Sequence, residues 1–174
     1  MKRILSILLL GLIFSGFNTS DRIDRLIAKE VKQVFGIDSF SEEGVLIQND
    51  VIESLPLSIH KENFFKIHKD ESLLGYYYLG KAFGKADYFD FIVIFDNDLI
   101  VSKIKVLVYR ESHGGEIGSK RWLKQFNGKT SDRDLIYQKD IAAISGATIS
   151  AKSMTTEVNK LLKSINILTS KDQL

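Results

Sequence analysis

The sequence is 174 residues long and 44% hydrophobic, which supplies one packed core and little room for a second. With 26% charged residues, one proline and twelve glycines it is neither disordered nor collagen-like, and without cysteine it forms no disulfide, thiolate metal site or lipobox anchor. The formal charge of +2 belongs to Lys2 and Arg3, because taking these two from the 24 basic residues leaves 22 against 22 acidic ones. That balance, and the lack of any helix-turn-helix, zinc-finger or aromatic-basic signature, speaks against nucleic acid as a partner.

At the N-terminus Lys2 and Arg3 precede an apolar run, residues 4–14, followed by the small and polar Ser15, Gly16, Asn18, Thr19 and Ser20. This is the layout of a secretory signal peptide over residues 1–20, cut after Gly16 or near Ser20. The run is shorter than the roughly 20 apolar residues that span a bilayer, so removal is expected over anchoring. The mature protein is then periplasmic or otherwise extracytoplasmic, working at the membrane. From residue 22 to 35, Ile23, Leu26, Ile27, Val31 and Val34 recur at helical spacing, with Asp21 placed to cap the start and Gly36 to end it. Residues 37–63 are mixed: 45–47 read as a short strand, and Pro56 interrupts regular structure. Residues 21–73 therefore form an N-terminal helix and mixed segment ahead of a core domain over residues 74–168.

Within that core, Tyr76, Tyr77, Tyr78 and Leu79, then residues 89–95, then residues 99–109 are rich in β-formers. Asp96-Asn97-Asp98 makes a hairpin of the last two. Alternation puts Ile100, Ser102, Ile104, Val106 and Val108 on one face, against Val101, Lys103, Lys105, Leu107 and Tyr109 on a partly wet one. Three consecutive tyrosines should divide between the two faces of their strand and pack there. A glycine-containing loop, residues 111–118, leads into a short helix over 119–127, with Trp122, Leu123 and Phe126 as its buried face and Gly128 as its stop. A last helix, within residues 144–165, lines up Met154, Val158, Leu161, Leu162 and Ile165 and carries Lys160 and Lys163 towards its C-terminal end. The fold expected is α+β, a single domain with a central antiparallel sheet flanked by N- and C-terminal helices.

Chemistry concentrates where that last helix begins. In Ser145-Gly146-Ala147-Thr148 two small residues stand beside two hydroxyls. Unpaired N–H groups and the positive end of the helix dipole favour an anion such as a phosphate there. The residues alone equally allow Thr148 or Ser150 to be a plain helix cap.

Two motifs carry a resemblance that goes further. The first, Asp140-Ile141-Ala142-Ala143-Ile144-Ser145-Gly146-Ala147-Thr148, resembles a flavinylation motif: aspartate, two variable residues, serine or threonine, then Gly-Ala-Thr. The second begins Tyr109-Arg110-Glu111-Ser112-His113-Gly114-Gly115-Glu116-Ile117-Gly118 and continues with Trp122, Gln125-Phe126 and Gly128-Lys129. Both are similar to the FMN-binding domain family, found in the sodium-pumping NADH:quinone oxidoreductase, in the Rnf electron-transport complex and in small exported relatives. The resemblance covers residues 74–165, and two ordered motifs are more specific than either alone. The aspartate of the pattern would stand at position 142, which holds Ala142, with Asp140 two residues earlier.

What the resemblance implies is FMN as the cofactor, joined by a separate flavin transferase through a phosphoester to Thr148. Ile144, Ser145, Gly146 and Ala147 would shape the turn that the transferase reads. Glu111, Gly114, Gly115, Glu116 and Gly118 would form a loop against the isoalloxazine, since glycine lets the backbone approach a flat ring; an ordinary connection after a strand stays open. His60, His68 and His113 lack metal-ligand spacing and read as loop or surface residues. No acid and base pair, nucleophile with its base, or Gly-x-Gly-x-x-Gly fingerprint is visible, so an electron carrier served by a membrane electron-transport protein is expected more than an independent enzyme. A flavin-dependent reductase of a small extracytoplasmic acceptor, and a flavin-free scaffold, are the alternatives.

Overall fold

The computed structural model describes residues 19–174, so the signal-peptide expectation lies outside the described residues except at its last two positions. Helix α1 (Thr19–Phe35) is already helical at Thr19, which places Asp21 inside the first turn and not at the cap. Five strands follow: β1 (Ser41–Gly44), β2 (Phe64–Lys69), β3 (Ser72–Phe83), β4 (Tyr88–Asp96) and β5 (Val101–Val108), with the single-turn helix α2 (Asn49–Ile52) between the first two. They pair antiparallel in the order β1-β2-β3-β4-β5. After β5 come a 3-10 turn (Gly115–Gly118), the single turn α3 (Lys120–Leu123), a second 3-10 turn (Lys124–Phe126), and the long helix α4 (Thr148–Ser170). This is the expected α+β domain, a central antiparallel sheet with helices at both ends.

The sheet is apolar on both faces, and each face has its own core. Phe89, Phe91, Val93 and Phe95 of β4 point to one side with Tyr76 and Tyr78 of β3, where they meet Ala151, Met154, Val158, Leu161, Leu162 and Ile165 of α4. Ile92, Ile94 and Tyr77 point to the other side, where Ile27 and Val31 of α1 cover them. The three tyrosines thus divide as the period of a strand requires.

Three further local expectations need correction, and one strand, β2, had not been expected. The short strand lies at Ser41–Gly44 and not at 45–47; Val45 only continues its ladder by donating its N–H to the Phe64 carbonyl at 2.9 Å. Strand β2 carries no clear apolar alternation, and Leu73 and Ser72 of β3 pair with it around a turn at Asp70, whose φ is +56°. The helix expected over 119–127 is one α-turn between two 3-10 turns. On β5 the pairing slips between Ile94 and Phe95, which carries Val101 to the same core as Ile104, where strict alternation had put it on the wet face. The β4–β5 hairpin itself is as expected: the Asp96 carboxylate accepts the N–H groups of Asp98 (3.1 Å) and Ile100 (2.9 Å), and Leu99 takes a φ of +61°.

Candidate functional site

The two sequence motifs meet at the N-terminus of α4. Gly146 takes a φ of +82°, a left-handed turn that glycine adopts without a Cβ penalty, and the chain then enters the helix. Ala147 is the residue before the first turn and is buried; its methyl accepts nothing, so α4 has no side-chain cap. Thr148 is the first helical residue. It is exposed, and its hydroxyl donates weakly back to the Ile144 carbonyl at 3.4 Å. Ser150 is buried, 3.5 Å from the Tyr109 hydroxyl. Neither residue caps the helix, which removes the plain capping reading and leaves the first-turn N–H groups facing outward beside an open hydroxyl.

Gly114 closes the same corner. Its φ is +81°, and a Cβ there would lie 2.7 Å from the Tyr109 hydroxyl, 3.3 Å from the Gly146 carbonyl oxygen and 3.4 Å from the Ala147 methyl. The loop can therefore sit on the turn only with glycine at this position. The Tyr109 hydroxyl fixes the loop from below by donating to the His113 carbonyl at 2.8 Å. A Cβ at Gly115 would meet nothing within 4 Å, so this position opens to solvent. Gly115, Glu116 and Gly118 lie on the 3-10 turn that follows, with Glu116 exposed and Ile117 fully buried.

Glu111 does something the sequence did not announce. Its carboxylate accepts the N–H groups of Ala86 (2.9 Å) and Asp87 (3.2 Å), tying the β3–β4 turn to the end of β5. The Ala86 N–H, helped by that of Asp87 and by nearby Lys85, holds this carboxyl below the usual range. The tie brings Lys85 to the cleft of about 270 Å³ that Tyr109, His113, Gly146, Ala147 and Thr148 also line. Nothing in the spacing of the sequence marks Lys85, because it arrives from a different hairpin.

On the other side of the turn, Trp122 and Gln125 hold the segment that leads into it. The Trp122 indole N–H donates to the Ala142 carbonyl at 2.7 Å, and the Gln125 side-chain oxygen accepts the Ala142 N–H at 2.8 Å. Trp122 is buried and packs edge-on against Phe126, as expected of a core residue, yet it also holds the segment that leads into the Ser145-Gly146-Ala147-Thr148 turn. Ile144 is half-buried and Ser145 exposed, and both border a second cleft with Arg121 and Trp122. Asp140 is engaged elsewhere: its carboxylate accepts the Ile136 N–H at 2.8 Å, which keeps its carboxyl below the usual range, with Arg133 3.8 Å away. Of the histidines, His113 lines the first cleft, while His60 pairs with Glu62 at 2.9 Å and His68 lies on β2. Among the described residues no three His, Cys, Asp or Glu side chains form a group that could hold a metal.

Residues 84–163 match the sequence profile of the FMN-binding domain family. This part of the chain belongs to the FMN-binding domain family. Its cofactor is accordingly FMN. Among curated proteins none matches the chain. The matched segment of the FMN-binding domain runs from the β3–β4 turn to the last turns of α4, so it holds every residue of the corner just described. The residues present suit the group: helix N–H groups without a side-chain cap and Lys85 for a phosphate, and open clefts beside Thr148 and beside Ser145 for a ring.

Proposed function

We propose that FMN is joined through a phosphoester to Thr148 and that the loaded domain acts outside the cytoplasm as an electron carrier. The observation that carries this is the exposed Thr148 hydroxyl at the start of α4, a helix without a side-chain cap. A flavin transferase acting on FAD would form the bond from Thr148 Oγ1 to phosphorus as the pyrophosphate bond breaks; AMP leaves and the hydroxyl proton passes to the transferase. The resulting diester is an anion, and it would rest on the N–H groups of the first turn of α4 with Lys85 beside it. When bound, the isoalloxazine takes up and gives up one or two electrons, and the protein supplies its position and surroundings. Gly114, stacked on Gly146 and Ala147, and the Ala142 backbone, held by Trp122 and Gln125, keep the attachment turn rigid. Electrons would come from or go to a membrane electron-transport protein.

The chain produced together with a flavin transferase should gain the mass of one FMN less one water, and the flavin should stay with it in denaturant. Thr148→Ala should abolish that gain, whereas Ser145→Ala should keep it. Ala142→Asp, which restores the aspartate of the family pattern, should raise the modified fraction. Covalent flavin on Thr148→Ala would move the acceptor to another hydroxyl. If no variant acquires covalent flavin beside an active transferase, the phosphoester is wrong and FMN binds without a covalent bond.

A further inference from the structure

A groove of about 380 Å³ runs along β5, an edge strand of the sheet, between α1 on one side and α3 on the other. Five lysines line it: Lys29 from α1, Lys103 and Lys105 from β5, and Lys120 and Lys124 from α3 and the turn after it. Its one carboxylate, Glu30, is buried and already paired with Lys103 at 2.6 Å, and Lys103 donates also to the Gln33 side-chain oxygen at 2.9 Å. None of the other four lysines enters an ion pair among the described residues. The described chain as a whole is balanced, so the clustering is not a by-product of overall charge. Lysines on an edge strand commonly guard against strand addition. That role accounts for Lys103 and Lys105 only; the other three reach the groove from elements on either side of the strand.

The position of the groove gives the cluster its meaning. Lys120, Leu123 and Lys124 face it, while Arg121, Trp122 and Gln125 of the same short segment border the cleft beside Ser145. One helical segment, about 10 Å across, therefore separates the groove from the turn that carries Thr148. We propose that the groove is the docking surface for an acidic electron-exchange partner, whose carboxylates enter it against Lys29, Lys105, Lys120 and Lys124. This rests on the reading of the FMN-loaded domain as an electron carrier. Opposite charge would speed encounter and set the orientation in which the partner stands one helix away from the flavin.

Two probes of opposite charge test it: the acidic soluble domain of cytochrome b5 and the basic cytochrome c, each mixed with the reduced, FMN-loaded protein in a stopped-flow instrument. Transfer to cytochrome b5 should slow as salt is added, and Lys120→Glu/Lys124→Glu, at two exposed positions, should slow it about tenfold at low salt. A control at exposed lysines on β2 and past the far end of α4, Lys69→Glu/Lys171→Glu, should leave it within about twofold. Transfer to cytochrome c should be no slower in the groove variant. Equal slowing by both double variants, or by neither, overturns the proposal. Amide shifts of the labelled chain on adding oxidised cytochrome b5 report docking without any electron transfer. Shifts centred on Lys105, Lys120, Lys124 and Asn127 together with no transfer to either probe would sink the electron-carrier reading and keep the docking surface. Sedimentation with phosphatidylglycerol vesicles that the groove variant loses, without cytochrome b5 shifts, would make the groove a membrane contact and overturn the proposal.

Discussion

Two neighbouring glycines at the site have opposite jobs. Gly114 is bound by its left-handed backbone and by the Tyr109 hydroxyl 2.7 Å from where a Cβ would stand, so Gly114→Ala should cost the fold itself. The backbone alone accounts for about 1–2 kcal/mol, and displacement of Tyr109 from the His113 carbonyl adds to it. Gly115 meets nothing within 4 Å, so Gly115→Val should leave the unfolding temperature of the flavin-free protein near that of the parent; if this loop lies against the ring, as the family resemblance implies, the branched side chain should lower flavin content. Unfolding temperature and bound flavin measured on both variants check the contrast. A collapse of stability in Gly115→Val with normal residual flavin would make that part of the loop structural only.

Among the elements, the β3–β4 turn depends on a side chain that comes from beyond β5. Glu111 accepts two N–H groups there more strongly when it is ionised, and its carboxyl is held below the usual range chiefly by Ala86. A group whose folded-state pKa is depressed contributes stability that is present above its unfolded pKa and is lost as pH falls through the folded value. The turn, and with it Lys85, should therefore loosen on acidification below the ordinary carboxylate range. Glu111→Gln should flatten this part of the acid dependence, since an amide keeps an acceptor oxygen but does not titrate. Melting curves of both proteins between pH 3 and pH 7 decide it, and parallel curves would assign the acid sensitivity elsewhere. The short segment Lys120–Phe126 is the other element with two duties, walling the lysine groove and holding Ala142.

The whole molecule is a sheet buried on both faces, and that arrangement sets its response to alkali. Burial, then the nearby Glu157, pushes the Tyr78 hydroxyl up to about 12, and burial with the hydrogen bond to Glu42 pushes Tyr77 higher still. The folded state thus keeps phenols protonated that the unfolded chain gives up near pH 10. Stability present below that pH should be lost as pH rises from about 10 towards 12. Tyr77→Phe, which removes the hydroxyl that donates to Glu42 at 2.7 Å, should show a shallower alkaline loss in thermal melts. Equal slopes for the two proteins would rule out Tyr77 as a source of it.

Periodicity and turn chemistry were enough for α1, α4, the β4–β5 hairpin and the split of the three tyrosines, because each is fixed by neighbours a few residues apart. The Ser-Gly-Ala-Thr start of α4 was legible for the same reason, and the two motifs pointed to FMN. Strand β2 was not legible, since its place comes from pairing with β3 and not from its own alternation. Nor was the side of Val101, which a slip in pairing with β4 decides. The tasks of Glu111, Lys85, Trp122 and Gln125 depend on contacts between segments far apart in the chain, as does the convergence of lysines from four elements on one groove. Local sequence specified which elements form and where a phosphate-friendly helix start lies; only tertiary packing, which joins residues without regard to their separation, decided which charges and hydrogen bonds surround it.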